Sequence, residues 1–382
     1  MKYTFGALVI ALIIIVALSM TGSSEKKDSI RVGAIIPRSG DLSYIGEQME
    51  RGMQIALTDY KDVPIELQVE DDRSFDIKSS VNALNKLIAT GYDDIVLNDT
   101  VNASKGLAPI VNSNKIPLVV LWDSSNELQN LGDWVMAMGF SLEAAGEDIA
   151  SHAYTDLGFR KIAIEAAQDE WSDVVSASFA EKFTALGGQI VLHEKTPISQ
   201  PDFKTNIVKA KQAGAESIYF PHYPQGNVLI ARQARELGFT GTLLSGDVFD
   251  ESAIQSLGKY ANNIHIAQMW LTDEAFKAKY AARYGEAPNS INLAFAAIGY
   301  DGIRLAAETY KGLEAKGVKN PSSEQIRDYI KTLKFDGVTG RTEFDSHGRS
   351  HKREHILKVE NGAFQLVKQN DSHVNYYQNK DW

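Results

Sequence analysis

The chain lacks cysteine and has more acidic than basic residues. None of its 382 residues is cysteine, which excludes disulfide bonds, thiolate metal sites, a cysteine nucleophile and a lipid-modified N-terminal cysteine. Lys and Arg number 39 against 49 Asp and Glu, which gives a formal net charge of -10. An acidic chain of this kind argues against non-specific nucleic-acid binding, because such binding requires a basic face.

Several sequence signatures of enzymes are missing as well. No G-x-G-x-x-G motif of dinucleotide-binding folds follows the first apolar segment, and neither a G-x-S-x-G nucleophile turn nor an H-E-x-x-H zinc motif occurs. His347, His351 and His355 lie close together in the sequence, but the D-S-H-G sequence around Gly348 favours a hairpin over a metal site. We therefore expect no enzyme activity, no metal ion and no cofactor.

The N-terminal residues have the pattern of a targeting segment. Lys2 precedes the apolar run FGALVIALIIIVAL, and Ala17 and Ser19 are the small residues that a signal-peptide cleavage site requires. The alternative is an uncleaved membrane anchor, although the run is shorter than the ~20 residues of a spanning helix. Residues 1–23 are therefore predicted as a signal peptide or N-terminal anchor. In both cases the remainder is exported, to the periplasm or the outer face of the cytoplasmic membrane.

Short apolar segments alternate with amphipathic helical patterns along most of the chain. Such alternation predicts parallel strands connected by helices that cover both faces of a sheet. The predicted strands are Arg31–Ile36, Ile65–Glu70, Asp94–Leu97, Pro117–Leu121, Trp134–Met138, Lys161–Glu165, Gln189–Leu192, Ser217–Phe220, Thr242–Ser245 and Asn263–Gln268. The predicted helices are Gly46–Tyr60, Ile77–Ala89, Ala144–Leu157, Val174–Leu186, Phe203–Ala213, Val228–Leu237, Ile291–Lys311 and Ser323–Leu333. Because so many strands exceed one comfortable sheet, we predict an α/β fold of two doubly wound parallel-sheet lobes.

The loops that follow the strands are the candidate binding segments, because ligands of open α/β sheets bind at the carboxyl ends of the strands. The loop after the first strand contains Ser39 close to a helix start, and the loop after the fourth strand is W-D-S-S-N-E. In the second half of the chain, Trp171, Tyr223 and Phe249 follow successive strands. Polar and aromatic side chains at successive strand ends predict a shared cleft for a small ligand.

Four segments have features of one family of α/β proteins. IRVGAIIPRSGDLSYIGEQMERGMQIA resembles the family's first strand, Ser-Gly loop and first helix, and LQVEDDRSFDIKSSVNALNKLIATG resembles its second unit. VLIARQARELGFTGTLLSGD resembles an arginine-containing helix with the next strand, and FDGVTGRTEFDSHGRSHKREHILKV resembles the closing segment. In order and spacing, the chain from Ile30 to Val367 resembles the branched-chain amino-acid-binding proteins of ABC transporters, which are type I periplasmic binding proteins.

The resemblance implies two lobes that are joined by three crossings and close over one ligand. On this chain the crossings fall near Gly139–Leu142, Trp270–Asp273 and Gly337–Glu343. The predicted domains are a first lobe of residues 28–141 and 272–338, a second lobe of residues 142–271 and 339–370, and a polar tail of residues 371–382.

The family's ligand-contacting positions fall on the same loops. By resemblance, the acidic residue that holds the ligand's ammonium group falls on Asp247, and aromatic residues that cover the ligand fall on Trp171 and Tyr223. The complete set of predicted ligand-binding residues is Ser39, Tyr44, Thr100, Val101, Asn102, Asp123, Ser124, Trp171, Tyr223 and Asp247.

Two positions depart from the family's pattern. The family's Ser, whose hydroxyl helps to bind the ligand's carboxylate, is missing in Thr100–Asn102, so a Thr or Asn would have to replace it. Asp123 stands where the family usually has a small residue. If Asp123 and Asp247 share one cleft, two carboxylates favour a cationic or hydrogen-donating ligand, or the pKa of one of them rises. Alternatively, Asp123 caps a short helix that starts near Ser125.

The resemblance implies a solute-binding protein that delivers a branched-chain or similar amino acid to the membrane permease of an ABC transporter. The alternative is a sensory or transport receptor for an amide, urea, polyamine or aromatic acid. An enzyme is the third hypothesis, and the missing motifs speak against it. The expected partners are therefore a small-molecule ligand and a permease, not nucleic acid.

Overall fold

A computed structural model describes residues 29–370, and the predicted targeting segment and polar tail lie outside these residues. The strands of the first sheet are β1 (Ile30–Ile36), β2 (Ile65–Asp71), β3 (Ile95–Asn98), β4 (Leu118–Val120) and β6 (Val135–Ala137). All neighbouring strands in this sheet are parallel, in the order β2-β1-β3-β4-β6. The runs of Val, Ile and Leu in these strands are typical of a parallel sheet with both faces covered.

The second sheet has seven strands. They are β8 (Lys161–Ala167), β9 (Gln189–Thr196), β10 (Ser217–Phe220), β11 (Leu243–Ser245), β12 (Ile264–Gln268), β15 (His355–Glu360) and β16 (Ala363–Lys368). Their order is β16-β15-β12-β11-β10-β8-β9, and β15 and β16 add to the parallel strands as antiparallel neighbours. Two short pairs stand apart, β5 (Asp123–Ser124) with β7 (Phe140–Ser141) and β13 (Lys334–Gly337) with β14 (Gly340–Glu343).

Helices cover the sheets and confirm the predicted α/β class. They are α1 (Ser43–Asp59), α2 (Ile77–Thr90), α3 (Val101–Asn114), α4 (Leu142–Ser151), α5 (Glu170–Ala185), α6 (Lys204–Gln212), α7 (Pro224–Glu236), α8 (Glu251–Leu257), α9 (Glu274–Tyr284), α10 (Ser290–Ala315) and α11 (Ser323–Thr332). Sequence patterns predicted all of these except α8 and α9, and for α3 the polar loop after the third strand indicated a helix start without bounds. Within residues 29–370, no helix combines the length and the apolar character that a membrane span needs.

The sheets and their helices form two lobes. We call the five-stranded sheet with α1–α3 and α9–α11 the first lobe, and the seven-stranded sheet with α4–α8 the second lobe. The chain passes between them after β6, after β12 and through the β13–β14 hairpin. The three predicted crossings fall in these passages, whereas the residue boundaries of the domains stay predictions.

The first lobe depends on a close contact between α1 and α10. A Cβ atom on Gly52 would lie 1.7 Å from the backbone oxygen of Ala296, and one on Gly299 would lie 2.0 Å from the backbone oxygen of Met49. Glycine at both positions therefore permits an approach that any side chain would prevent. The apolar length of α10 is thereby buried against the core of this lobe.

A buried lysine ties the third crossing to α10. Lys352 is 2% exposed, and its ammonium group donates a hydrogen bond to Oγ1 of Thr339 at 2.6 Å. The Thr339 hydroxyl in turn donates to Oδ2 of Asp301 on α10 at 2.6 Å. Asp301 also accepts the backbone N–H of Val338 at 2.9 Å. Burial lowers the pKa of Lys352 to about 8. One connected polar network therefore fixes the hairpin.

Candidate ligand-binding site

A cavity lies between the two lobes, at the carboxyl ends of their strands. It measures about 90 Å³ as the space that the centre of a water molecule can reach. In the same measure one water needs roughly 10–15 Å³, so the cavity has room for a small ligand. Its lining residues are Phe75, Thr100, Val101, Asn102, Trp122, Asp123 and Ser125 of the first lobe, with Leu142, Asp169, Glu170, Trp171 and Tyr223 of the second.

An unusual turn brings Phe75 to the cavity. Arg73, Ser74 and Phe75 have φ angles of 57°, 63° and 68°, and three consecutive left-handed residues without glycine are a costly backbone conformation. The Phe75 N–H donates to Oδ1 of Asp72 at 3.2 Å, which helps to hold the turn. The Phe75 ring then packs against Trp122 with 5.9 Å between ring centroids. The turn therefore gives the first lobe a pair of aromatic rings on the cavity wall.

The second lobe contributes a matching aromatic pair. The rings of Trp171, in the first turn of α5, and Tyr223, just before α7, meet nearly edge to face with 5.6 Å between centroids. Gly246 makes room for Trp171, because a Cβ atom there would lie 3.2 Å from the indole ring. Four aromatic rings, two from each lobe, therefore line the cavity.

Asp123 lies at the N-terminus of α3. Thr100 is the N-cap of this helix, and its hydroxyl oxygen accepts the N–H of Ala103 at 3.2 Å. Oδ1 of Asp123 accepts the N–H of Val101 at 2.8 Å. The sequence-based alternative, in which Asp123 caps a helix near Ser125, is wrong: the short 3-10 helix there has no side-chain cap, and Asp123 caps α3 instead.

Burial raises the pKa of carboxyl groups around the cavity. The pKa of Asp123 rises to about 7, because the group is buried and because the Glu170 carboxylate lies near it. Burial likewise raises the pKa of Asp169. Behind the first turn of α3, Asp72 and Asp99 form a buried carboxyl pair; burial and mutual repulsion raise the pKa of Asp99 well above its usual range. Several carboxyl groups are therefore concentrated at this end of both sheets, and burial favours their neutral forms.

An ion pair connects the lobes beside the cavity. Lys105 on α3 lies 2.6 Å from Oε1 of Glu170 on α5 and also pairs with Glu127. The Lys105 and Glu170 side chains are 34% and 30% exposed, so solvent screens their attraction. A second contact between the lobes is the hydrogen bond that Asn289 donates from Nδ2 to Oδ2 of Asp250 at 2.6 Å. Polar contacts between the lobes thus hold this conformation together.

Six of the ten predicted ligand-binding residues line the cavity. They are Thr100, Val101, Asn102, Asp123, Trp171 and Tyr223. Each follows a strand of one of the two large sheets, as the rule for open α/β sheets predicts. Their contact with a ligand stays a prediction.

The other four predicted residues lie outside the lining. Ser39 is exposed, and its hydroxyl donates to Oδ2 of Asp71 at 2.6 Å. Tyr44 packs against the core of the first lobe, and Ser124 is buried in β5. Asp247 is 3% exposed, and its carboxyl group is hydrogen-bonded to that of Glu354. Burial raises the pKa of Asp247 to about 7 and that of Glu354 well above its usual range.

Sequence reasoning missed six lining residues and included one aromatic residue that lies elsewhere. Trp122, Ser125, Asp169 and Glu170 belong to loops that the strand-end rule had selected, so the signal was present, whereas Phe75 and Leu142 gave no sequence signal. Phe249, by contrast, is fully buried in the core of the second lobe.

The clustered histidines do not meet at a common point that could hold a metal. His355 begins β15, and Nε2 of His351 lies 2.9 Å from Oδ2 of Asp345. Gly348, with a φ of 78°, lies in a tight turn between Asp345 and Arg349. The predicted hairpin is wrong as a strand pair, because β14 and β15 on either side of the turn belong to different sheets. Within residues 29–370 no group of three or more His, Cys, Asp or Glu side chains could hold a metal ion.

Known proteins with the same fold are numerous and include binding proteins for two kinds of ligand. The Leu/Ile/Val-binding protein homolog 6 of Brucella melitensis is 24% identical, over 93% of this chain and 94% of its own length. The leucine-binding protein LivK of Thermotoga maritima is 27% identical, with a TM-score of 0.76 over 88% of this chain and 97% of its own. A solute-binding protein of an ABC transporter from Rhodopseudomonas palustris, solved with 3,4-dihydroxybenzoic acid, is 22% identical, with a TM-score of 0.78 over 90% of this chain and 98% of its own.

A family model covers almost all of the described chain. The model for the family described as periplasmic binding protein matches residues 29–363, which include both lobes and every residue that lines the cavity. The predicted resemblance is confirmed, and the chain belongs to the periplasmic binding protein family.

Proposed function

We propose that this protein is the extracytoplasmic solute-binding component of an ABC transporter. It binds an amino acid of the branched-chain type, or a similar small amine, in the cleft between its lobes and delivers the ligand to a membrane permease. The observation that carries the proposal is the cavity, which residues from the strand ends of both lobes line together. Closure of the lobes over such a site would signal occupancy to the permease.

The names of similar proteins support the class of ligand. One relative is named as a homologue of Leu/Ile/Val-binding proteins, and one structural neighbour as a leucine-binding protein. Neither name refers to an enzyme, and the missing motifs in this chain agree with a binding role. The N-terminal targeting pattern supports export to the periplasm or the outer face of the cytoplasmic membrane.

Roles for the predicted residues follow from their places. Asp123 would hold the ligand's ammonium group, Trp171 and Tyr223 would cover its apolar part, and Thr100–Asn102 would supply polar contacts. Asp247 lies in a carboxyl pair behind the lining, so its role would be to position neighbouring groups. The same positioning role would apply to Ser39, Tyr44 and Ser124, which do not line the cavity.

An aromatic acid is the second ligand class to consider, because one neighbour was solved with 3,4-dihydroxybenzoic acid and the cavity has four aromatic rings. The three carboxylate residues of the lining oppose it, since like charges within one buried site repel each other.

A ligand screen tests the proposal. The purified protein would be heated with amino acids, amines, amides, urea and aromatic acids, and each unfolding temperature recorded. A ligand that binds only the folded state stabilises it by about 2.7 kcal/mol at a hundredfold excess over its Kd. A shift with an amino acid or a small amine is expected. A shift with none of these classes, or turnover of the bound compound, would refute the proposal.

A further inference from the structure

The start of α3 would be the natural place for a ligand's carboxylate, but the chain's own Asp123 occupies it. A helix N-terminus presents free N–H groups and a positive dipole end to an anion. Here the N–H of Val101 donates to Oδ1 of Asp123 at 2.8 Å, and Asp123 is only 9% exposed. A ligand's carboxylate at this place would be repelled by the charge of Asp123, and the N–H of Val101 would already be hydrogen-bonded.

Within the described part of the chain, the rest of the lining offers no positively charged side chain to an anion. Among the described residues that line the cavity, none is Lys, Arg or His, whereas Asp123, Asp169 and Glu170 are acidic. The ammonium group of the nearby Lys105 is engaged by Glu170 and Glu127. A ligand carboxylate would therefore enter a site of its own charge, and a cation would enter a site of opposite charge.

The aromatic walls also suit a cation. The rings of Phe75 and Trp122 on one side and of Trp171 and Tyr223 on the other line the same small space. The faces of aromatic rings attract cations, including primary ammonium groups, and cages of such rings bind quaternary ammonium groups. The carboxylates and the rings thus favour the same type of ligand for two independent reasons.

A hydroxyl group completes the polar part of the wall. Ser125 lines the cavity and is 3% exposed, and its Oγ has no hydrogen-bond partner within residues 29–370. A buried polar atom without a partner is costly, so its place on a cavity wall points to a bond with the occupant. Its oxygen is free to accept an N–H of an ammonium ligand.

We propose, on the basis of the solute-binding function above, that of the two ligand types named there the cleft prefers the small amine, an organic cation without a carboxylate group such as an alkylammonium ion. Its charged group lies between Asp123 and Asp169 and beside the aromatic rings of both lobes, with Ser125 as a hydrogen-bond acceptor.

Three probes that share one carbon skeleton test the proposal. Isothermal titration calorimetry at pH 8 would compare 3-methylbutylammonium, which has the ammonium group alone, with L-leucine, which has both charges, and 4-methylpentanoate, which has the carboxylate alone. We expect 3-methylbutylammonium to bind at least tenfold more tightly than L-leucine, and 4-methylpentanoate to give no binding heat.

The outcomes separate this proposal from the general function. If L-leucine binds as tightly as the amine or more tightly, the cation proposal is overturned while the solute-binding function stands. If none of the three probes binds, the cation proposal is again overturned, and the wider ligand screen described above decides the solute-binding function by itself.

Asp123→Ala should lower the affinity for the amine and raise the affinity for L-leucine. Removal of the carboxylate frees the N–H of Val101, so the variant should bind 3-methylbutylammonium at least tenfold more weakly and L-leucine more tightly than the parent protein. An unfolded variant could not produce this gain. Asp173→Asn is the matched control, because Asp173 is a carboxylate on α5 that pairs with Lys195 and does not line the cavity. Unchanged binding of the amine by Asp123→Ala would overturn the proposal.

Discussion

Asp123→Asn should stabilise the ligand-free protein at pH 8. The pKa of this buried carboxyl group rises from 3.8 to about 7, so above pH 7 the folded protein holds a charge that burial disfavours. At about 1.4 kcal/mol per pKa unit, this shift corresponds to a destabilisation of up to ~4 kcal/mol, which water in the cavity reduces by solvating the charge. The Asn side chain has the same shape without the charge, and its Oδ1 still accepts the N–H of Val101.

The pH dependence of this effect has a defined sign. Between pH 3.8 and about 7 the folded protein binds a proton at Asp123 that the unfolded chain does not bind, so the stability of the parent protein increases as the pH falls through this window. Asp123→Asn lacks this contribution. The advantage of the variant should therefore be largest at pH 8, decrease below pH 7 and disappear near pH 4.

Urea unfolding at a series of pH values from 4 to 8 measures the difference in free energy of unfolding. Asp71→Asn is the contrasting control. At Asp71, hydrogen bonds from Ser39 and nearby backbone N–H groups outweigh the effect of burial and lower the pKa of the carboxyl group. Replacement of Asp71 should therefore destabilise the protein at pH 8. If Asp123→Asn is as stable as the parent or less stable at pH 8, the reasoning about burial is refuted. If it also binds 3-methylbutylammonium undiminished, Asp123 is not the group that holds the cation.

Three further changes test the lobes and their connections. Lys105→Met should lower the free energy of unfolding by at most ~1 kcal/mol, since a solvent-screened surface ion pair contributes little. It should also raise the affinity for 3-methylbutylammonium in calorimetry, because Glu170 loses its partner. A weaker affinity would contradict this. Gly52→Ala should lower the free energy of unfolding in urea by ~1–3 kcal/mol or more, because its Cβ would overlap the backbone of α10; an unchanged midpoint would show that the helices are further apart. Between pH 8 and about 10.5 the unfolded chain keeps a proton that the folded Lys352 has lost, so the stability of the parent protein should rise with pH in this window. Lys352→Met should not show this rise. A parent protein whose stability does not rise there would refute the burial of this charge.

Much of the fold could be predicted because it depends on local patterns. Apolar runs gave the strands, and β10 has the predicted bounds, Ser217–Phe220. Gly91 directly follows α2 in a left-handed conformation, which is the usual glycine signal for the end of a helix. Helix boundaries were predicted less accurately where a capping side chain sets them. Helix α5 begins at Glu170 rather than at the predicted Val174, because the Asp169 side chain accepts the N–H of Ser172. The helices α8 and α9 were missed, although an Asp caps each of them.

The candidate site could be predicted in part. Loops after parallel strands were the correct places to search, and Thr100–Asn102, Asp123, Trp171 and Tyr223 line one cavity. Asp247 was predicted beside them but pairs with Glu354, which follows it by more than a hundred residues. No local pattern specifies such a pairing, because it depends on where β15 joins the second sheet.

The sequence by itself determined the class of the molecule. Its lack of cysteine, the alternation of strands and helices, and the polar and aromatic residues at strand ends are properties of the chain that do not depend on long-range contacts. The tertiary structure decided which of these residues meet. It brought Phe75, Asp123, Asp169 and Tyr223 to one cavity and placed Asp123 on the first turn of α3. Strand order and the packing of the lobes set those distances, and with them the charge that the cavity presents to a ligand.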